Sequence, residues 1–183
     1  MSESLSVPMP ATLASRPRDP RRDLPIPAVN EFPGVGRGYD FTIINSVRAM
    51  ELARQRCCGL CGEPMPPVVA FLGGPRAAET GGYSDPPGCP ACMRAALTLC
   101  PHIRVAHARR AGTGRDLVEA AQVPGFTGER PDTWVMVFAR SYRIALIPVD
   151  GGGDLVPLYL PEQIVTATVY EYDENGALTQ AER

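Results

Sequence analysis

Two Cys-x-x-Cys pairs, in CGLCG at 58–62 and in CPAC at 89–92, constrain this chain more than any other feature. Two such pairs supply the four soft ligands of a tetrahedral metal site. Six cysteines in 183 residues would also allow a disulfide framework. The N-terminus, however, has no apolar run after positive charges, which argues against a secretory signal and favours a cytoplasmic protein with reduced thiols. The pairs therefore predict one structural Zn²⁺ per chain, with iron as the alternative metal.

The predicted metal ligands are Cys58, Cys61, Cys89 and Cys92. Cys57 directly precedes Cys58, so either could pair with Cys61, and the two-residue spacing favours Cys58. The second pair opens a helical pattern, where the helix dipole and the free amides favour thiolate. A knuckle, a β-hairpin and a helix that carries the second pair make up a treble-clef finger, and this is the arrangement that the spacing predicts.

The stretch from about residue 50 to residue 105 resembles a family of uncharacterised small proteins of actinobacteria and phages, on the motifs CGLCGEPM, VVAFLGGPRAAET and YSDPPGCPACMRAALTLCPHI. The resemblance implies a treble-clef-like zinc site carried by Cys58, Cys61, Cys89 and Cys92. Many relatives have histidine where this chain has Cys89, so its site would have four cysteines. The family is similar to the fingers of histidine–asparagine–histidine nucleases, but without their catalytic histidine. The resemblance implies no activity.

Catalysis at the zinc is disfavoured by the residues themselves. Four cysteines close the coordination sphere, whereas a catalytic zinc keeps one position open. The H-x-E motif of zinc deaminases is absent, and the only histidines, His102 and His107, follow the second pair. His102 is expected to cap or pack at a helix end. The leading interpretation is a non-catalytic binding or adaptor protein. The alternative is an enzyme or enzyme accessory protein that uses Glu79, Asp85 or His107 at a site between the finger and the later strands.

An arginine cluster follows the second cysteine pair, and its members are Arg104, Arg109, Arg110 and Arg115. Such a cluster is a candidate phosphate-contacting patch, and a solvated loop is the alternative. The formal net charge of −2 does not by itself indicate nucleic acid or membrane. No apolar stretch approaches the length of a membrane-spanning helix, so no membrane segment is expected. The predicted partner is therefore a protein or a nucleic acid.

The predicted fold is α+β, with a treble-clef-like zinc finger between flanking helices, followed by an antiparallel β-meander. Residues 1–38 are rich in proline and arginine and are expected to form a disordered arm, within which LPIPAV at 24–29 and EFPGVG at 31–36 are candidates to lie against the domain surface. Residues 39–110 are assigned to a helix and the finger, and residues 111–183 to a loop and the meander, packed together as one domain. Cys100, at the far end of the second helix, is expected to be a buried thiol.

Periodicity places the individual elements. A spacing of three to four between apolar residues predicts a helix over 40–56. The stretch after the first apolar strand, RAAETGGYSDPPG, is expected to be loop. The β-branched and aromatic runs of the C-terminal part predict strands, with either a tight turn or one long bent strand joining the first two. The predicted strands are 68–75, 134–140, 142–149, 155–160 and 164–172.

Overall fold

A computed structural model describes residues 5–34, 36, 38–104, 131–148 and 155–181. Within these residues the helices are α1 (Ala11–Ala14), α2 (Ser46–Arg54), α3 (Pro75–Thr80), α4 (Pro90–Leu99) and α5 (Pro101–Arg104), with a 3₁₀ turn at Ala28–Asn30. The strands are β1 (Arg18–Asp19), β2 (Leu24–Pro25), β3 (Val69–Gly73), β4 (Thr133–Pro148), β5 (Leu155–Tyr172) and β6 (Leu178–Gln180). None of the described helices combines the length and the apolar character needed to cross a bilayer.

The larger sheet is antiparallel and has the strand order β3-β4-β5-β6, which confirms the α+β class and the antiparallel arrangement. Strand β4 is continuous, which agrees with the alternative of one long strand over 134–149. Strand β5 is also continuous, so the prediction of separate strands at 155–160 and 164–172 was wrong. The register between the two strands shifts between Phe138 and Ala139, which pair with Thr166 and Ile164 and leave Val165 without a partner on β4, and Gln163 nearby has φ of 51°. A bulge of this kind twists a strand without ending it.

Both faces of the sheet are covered near β3, which explains the continuous apolar run of this strand. On one face, Met136 and Phe138 of β4 pack in a cluster with Met93 and Leu97 of α4. On the other face, Phe71 of β3 belongs to a cluster that includes Ala53, Ala77, Tyr83, Val137 and Tyr159. The sheet is therefore held between α4 and α5 on one side and α2 and α3 on the other.

Two helices differ from the prediction, and their terminal residues explain both differences. The helix predicted over 40–56 begins only at Ser46, because Asn45 caps it by accepting a hydrogen bond from the Arg48 amide at 3.2 Å. The predicted loop after β3 instead contains α3. Pro75 occupies its first turn, and Gly81 ends it at φ of 69°.

The N-terminal segment is packed against the rest of the protein, which differs from the disordered arm predicted for residues 1–38. Strands β1 and β2 form a two-stranded ribbon, closed where the buried Asp19 accepts hydrogen bonds from the Arg21 and Arg22 amides at 3.1 and 2.9 Å. Leu13 and Ile26 are buried. The prolines fix backbone angles in turns that pack, so they do not keep the segment extended and free.

Candidate metal centre

Four cysteine sulfurs converge at one point of the structure. The Sγ atoms of Cys58, Cys61, Cys89 and Cys92 all lie within 4.8 Å of one another, and all but the half-buried Cys89 are buried. A tetrahedron with Zn–S bonds of about 2.3 Å separates its sulfurs by about 3.8 Å, so the group has the dimensions of a metal site. Cys57 lies outside the group, and its Sγ is instead 3.8 Å from the Gln55 carbonyl oxygen.

A tight turn places the first two sulfurs. The Gly62 amide donates to the Cys58 carbonyl at 2.8 Å, and the Cys58 amide donates to the Glu63 carbonyl at 2.8 Å. Gly62 has φ of 82°, a left-handed conformation that glycine adopts without steric cost. The turn therefore folds both cysteine side chains to the same side, and the glycine after the pair is needed for its conformation.

The start of α4 places the other two sulfurs. Cys89 is the residue before the helix, Pro90 is its first residue, and Cys92 is its third. The backbone amide of Cys89 donates to the sulfur of Cys58 at 3.2 Å, which favours a thiolate there. Gly88 lies so close to the group that an added Cβ would sit 3.1 Å from the Cys58 sulfur. The same Cβ would sit 2.8 Å from the Cε of Met93, so a larger residue at position 88 would have to displace both neighbours, and glycine lets the backbone approach the sulfur group closely.

The N-terminal segment covers the cysteines. Leu13 of α1 is buried in a cluster with three of the sulfur-bearing residues and Ala95 of α4. The amides of Ala28 and Val29 donate to the carbonyls of Leu60 and Gly59 at 2.9 and 3.0 Å, so this segment also pairs with the backbone of the first cysteine turn. Sequence reasoning had named LPIPAV at 24–29 as a stretch to lie against the domain surface, and it missed the cover by α1. The apolar residues between the early prolines were the signal that could have indicated it.

The four thiols strongly perturb one another's ionisation. The hydrogen bond with Cys61 raises the pKa of Cys58, but those with Cys89 and Cys92 lower it to about 7. The interaction with Cys58 holds the pKa of Cys61 well below its usual range. Hydrogen bonds to Cys58 and Cys61 raise the pKa of Cys89 and of Cys92. Thiols this close share protons and resist full ionisation, so a bound divalent cation is the species that would let all four become thiolates.

The region between the two pairs differs from a simple hairpin. It contains β3 and α3, and β3 pairs with β4 from the C-terminal part of the chain. The only pairing within the region itself, among the described residues, is the bridge between Ala70 and Gly88, with reciprocal hydrogen bonds of 2.9 and 3.0 Å. Of the three parts predicted for a treble-clef finger, the structure therefore contains the knuckle and the helix but not a self-contained hairpin between them.

The structure does not bring the other predicted site residues to the cysteines. Glu79 on α3 and Asp85 are exposed, and within the described part of the chain neither joins a group of metal-ligating side chains. His102 on α5 packs its ring edge-to-face against Trp134, with centroids 5.9 Å apart. Cys100, which ends α4, is half-buried beside the core cluster of that face of the sheet. Packing is thus an observed role for His102, as the sequence predicted.

The predicted arginine patch falls mostly outside the described residues. Arg104 is the last residue of α5 and is exposed. Arg109, Arg110, Arg115 and His107 lie in the range 105–130, which is not described. Contact with nucleic acid through this patch, and a catalytic use of His107, therefore stay predictions.

Comparison with models of protein families, with curated proteins and with solved structures found no match to this chain. The resemblance to small actinobacterial and phage proteins also stays a prediction. The geometry of the cysteine group and its surroundings is therefore the basis for the function proposed below.

Proposed function

We propose that this chain binds one Zn²⁺ through Cys58, Cys61, Cys89 and Cys92, and that the ion is structural. The observation that carries the proposal is the convergence of four largely buried sulfurs within 4.8 Å of one another. Zinc favours tetrahedral sites of four thiolates, and iron, which also accepts such a set, is the alternative. The knuckle at Gly62 and the position of the second pair at the start of α4 support a treble-clef-like classification.

The surroundings of the cysteine group support a structural role. Four thiolates leave no coordination position for water or substrate, so the ion would not supply a reactive nucleophile. The neighbours of the sulfurs are apolar, with Leu13 and Ala95 buried and Val7, Met9 and Leu99 half-buried against them. The ion would join the turn that carries Cys58 and Cys61 to the start of α4, and its binding free energy would be folding free energy. We therefore propose a non-catalytic binding or adaptor protein.

The class of partner proposed from the sequence is a protein or a nucleic acid. For nucleic acid, the contact would involve Arg104, Arg109, Arg110 and Arg115, because arginine binds phosphate in a bidentate manner. Affinity for a short duplex or single strand should then fall steeply with salt, and replacing these arginines by glutamine should reduce the salt dependence. Binding that is insensitive to salt would argue against nucleic acid and leave a protein partner.

Metal stoichiometry tests the proposal. Elemental analysis of protein purified without added metal should give one zinc per chain for the parent and for Cys57→Ser, because Cys57 lies outside the sulfur group. Cys58→Ser should bind zinc much more weakly and lose it to a chelator. A parent without metal, or a Cys57→Ser variant that loses its metal while Cys58→Ser retains it, would contradict the assignment. Iron in place of zinc would change the metal and keep the site.

A further inference from the structure

The two faces of the larger sheet differ in charge. On one face, α2 and α3 together carry three arginines and two glutamates. On the other face, α4 and α5 carry Arg94 and Arg104 and no aspartate or glutamate. These two helices belong to a longer stretch of sequence, residues 86–115, that has five arginines and no acidic residue. The face that carries α4 and α5 is therefore the one to which an anionic partner would be attracted.

Strands β4 and β5 do not neutralise this face. β4 has no acidic residue. β5 has two, and the first, Glu162, forms an ion pair with Arg143 at 3.5 Å. The second, Glu171, follows Tyr170, which packs in the cluster beneath α4, so the Glu171 side chain points to the opposite face. Within the described part of the chain, neither arginine of α4 and α5 forms an ion pair with a carboxylate.

Arg94 lies at the side of α4 that borders β5. It is exposed, and its Cζ atom is 5.1 Å from the centroid of the Phe138 ring on β4. Phe138 is paired with Thr166 of β5. Burial raises the pKa of Tyr170, also on β5, and the charge of Arg94 opposes this rise, which is consistent with a guanidinium close to β5. The Phe138 ring supports one face of the guanidinium, and the N–H groups at its rim can bind an anion.

Beside Arg94, β5 presents two hydroxyl groups on the same face of the sheet. Thr166 and Thr168 are paired with Phe138 and Met136, and both of these residues pack in the cluster with α4. Directly paired residues share a face, so the two threonines also point to the α4 side. Thr166 is exposed and Thr168 is half-buried, although Phe138 and Met136 are buried. Helix α4 therefore covers β4 and leaves a ledge on β5, formed by Thr166 and Thr168 with Arg94 at its border.

Arg104 extends the positive charge along the same face. Helix α5 lies over the other end of β4, because the His102 ring packs edge-to-face against Trp134 with centroids 5.9 Å apart. Trp134 and Phe138 lie on one face of β4, separated by about 13 Å of strand. Arg104 is exposed at the end of α5. Because one strand of a duplex has a phosphate about every 3.4 Å along its axis, a single strand can reach both ends of this face.

We propose that this face binds the sugar–phosphate backbone of a nucleic acid, with Arg94 and Arg104 contacting phosphates and Thr166 and Thr168 donating hydrogen bonds at the ledge. The proposal rests on the nucleic-acid partner proposed above, and it adds Arg94 and the two threonines to the arginine cluster that the sequence indicated. Arginine and threonine side chains are common donors to phosphate oxygens.

The chemistry of the ledge favours a phosphate backbone over other anionic partners. The ledge offers guanidinium and hydroxyl donors, whereas the centre of a protein interface normally buries a large apolar or aromatic side chain. The aromatic rings of Trp134, Phe138 and Tyr170 on this face are buried, so they are not open to stack on a base. We therefore expect contacts to the backbone that do not depend on base sequence.

The test measures how the full-length, metal-loaded protein binds a fluorescein-labelled oligonucleotide of mixed sequence, single-stranded and as a duplex, by anisotropy at about 50 and 200 mM salt. The affinity of the parent should fall steeply with salt. Arg94→Gln should weaken binding about five- to tenfold and reduce the slope of log affinity against log salt by about one. Arg94→Lys should retain the slope, because it keeps the charge. Thr166→Val, which removes only the hydroxyl, should weaken binding about two- to threefold.

Arg76→Gln is the matched control, because Arg76 is also an exposed arginine on a helix but lies on α3, on the opposite face of the sheet. It should change the affinity less than about twofold. Metal content, measured on the same samples, should equal that of the parent in every variant, since no cysteine is changed.

Three outcomes would overturn the proposal. Equal effects of Arg94→Gln and Arg76→Gln would exclude this face, and if replacing the cluster Arg104, Arg109, Arg110 and Arg115 still abolished binding, the nucleic-acid partner itself would stand. A parent that binds a glutamate-rich peptide more tightly than either oligonucleotide would indicate a protein partner instead. A parent that binds neither the single strand nor the duplex would overturn both this proposal and the nucleic-acid partner.

Discussion

The cysteine region and the sheet are stabilised by different means. Around the cysteines the elements are short, with four residues in α1 and two each in β1 and β2, and apart from Leu13 the buried residues of that cluster are cysteines and one alanine. In the sheet, β4 and β5 run for 16 and 18 residues and contribute to clusters containing Phe71, Phe138 and Tyr159. Where elements are too short to bury much apolar surface, the metal crosslink proposed for the four cysteines would supply the missing stability. The sheet achieves its stability by burial.

Loss of the proposed metal should destabilise the cysteine region much more than the sheet. Cys89→Ser removes one of the four proposed ligands, and because metal affinity is folding free energy there, the cysteine region should lose most of its stability. Hydrogen exchange should become fast in residues 8–31 and 56–64, while β4 and β5 remain more protected. This is the largest effect that we expect.

The matched control for that experiment is Cys57→Ser, which changes the neighbouring cysteine and leaves the sulfur group intact. It should preserve both the metal content and the exchange pattern. Equal protection of the two regions in Cys89→Ser would remove the distinction between a region stabilised by metal and a region stabilised by burial.

A substitution in the core of the sheet should destabilise the sheet and leave metal binding by the cysteines unchanged. Phe71 is fully buried between β4 and α3, with its ring 5.2 Å from that of Tyr83 and 5.9 Å from that of Tyr142. Phe71→Ala should lower the free energy of unfolding by about 3–5 kcal/mol, because it removes buried surface and leaves a cavity. Chemical denaturation measures this loss, and the milder Phe71→Leu should cost less than about 1.5 kcal/mol. Metal stoichiometry of the folded Phe71→Ala protein should be unchanged, and loss of metal would show that the regions are coupled.

The side chain that covers the cysteines should contribute less to the free energy of unfolding than a large side chain in the core of the sheet. Leu13→Ala removes the buried side chain that packs against the sulfurs, and we expect a loss of about 2–3 kcal/mol together with faster removal of the metal by a chelator. Thr12→Ala, at the exposed neighbouring position on α1, is the control and should change neither quantity measurably. An unchanged chelation rate for Leu13→Ala would mean that α1 does not shield the ion.

The smallest effects concern two tyrosines of one cluster. The Tyr83 hydroxyl is buried and has no hydrogen-bond partner among the described residues, whereas the Tyr142 hydroxyl donates to the Ala53 carbonyl at 2.5 Å. Tyr142→Phe should therefore destabilise the protein by about 0.5–1.5 kcal/mol, and Tyr83→Phe should be neutral or stabilising. Thermal and urea unfolding of both variants at neutral pH measure the difference. A larger loss for Tyr83→Phe would show that its hydroxyl is satisfied.

We expect the buried phenol of Tyr83 to make the free energy of unfolding depend on pH. Burial raises the pKa of Tyr83 to about 12, above its value of about 10 in the unfolded chain. The folded state thus holds the phenol proton more tightly, and its contribution is complete below pH 10 and is lost as the pH rises from about 10 towards 12. Tyr83→Phe should reduce the alkaline loss of stability by about 1–3 kcal/mol. An identical alkaline profile in the variant would contradict this assignment.

Patterns of neighbouring residues supported many of the predictions, and they failed where contacts between distant residues determine the structure. The spacing of Cys58 and Cys61 and the helical pattern after Cys89 are local, so the converging group could be read from the sequence. The strand content was also local, because β-branched and aromatic runs favour extended backbone. The continuity of β5 was not, since the sequence PEQ at 161–163 is turn-like and only pairing with β4 holds it in a strand.

The sequence by itself determined the two Cys-x-x-Cys pairs, the helix after the second pair and the extended character of the C-terminal runs, because each depends on residues within a few positions of one another. Tertiary structure alone decided that Leu13 covers the sulfurs, that β3 crosses to pair with β4, and that Cys57 is left outside the group. It also decided that Tyr83 and β6 pair with β5. These outcomes come from contacts between residues far apart in the chain, whose energies no local pattern records.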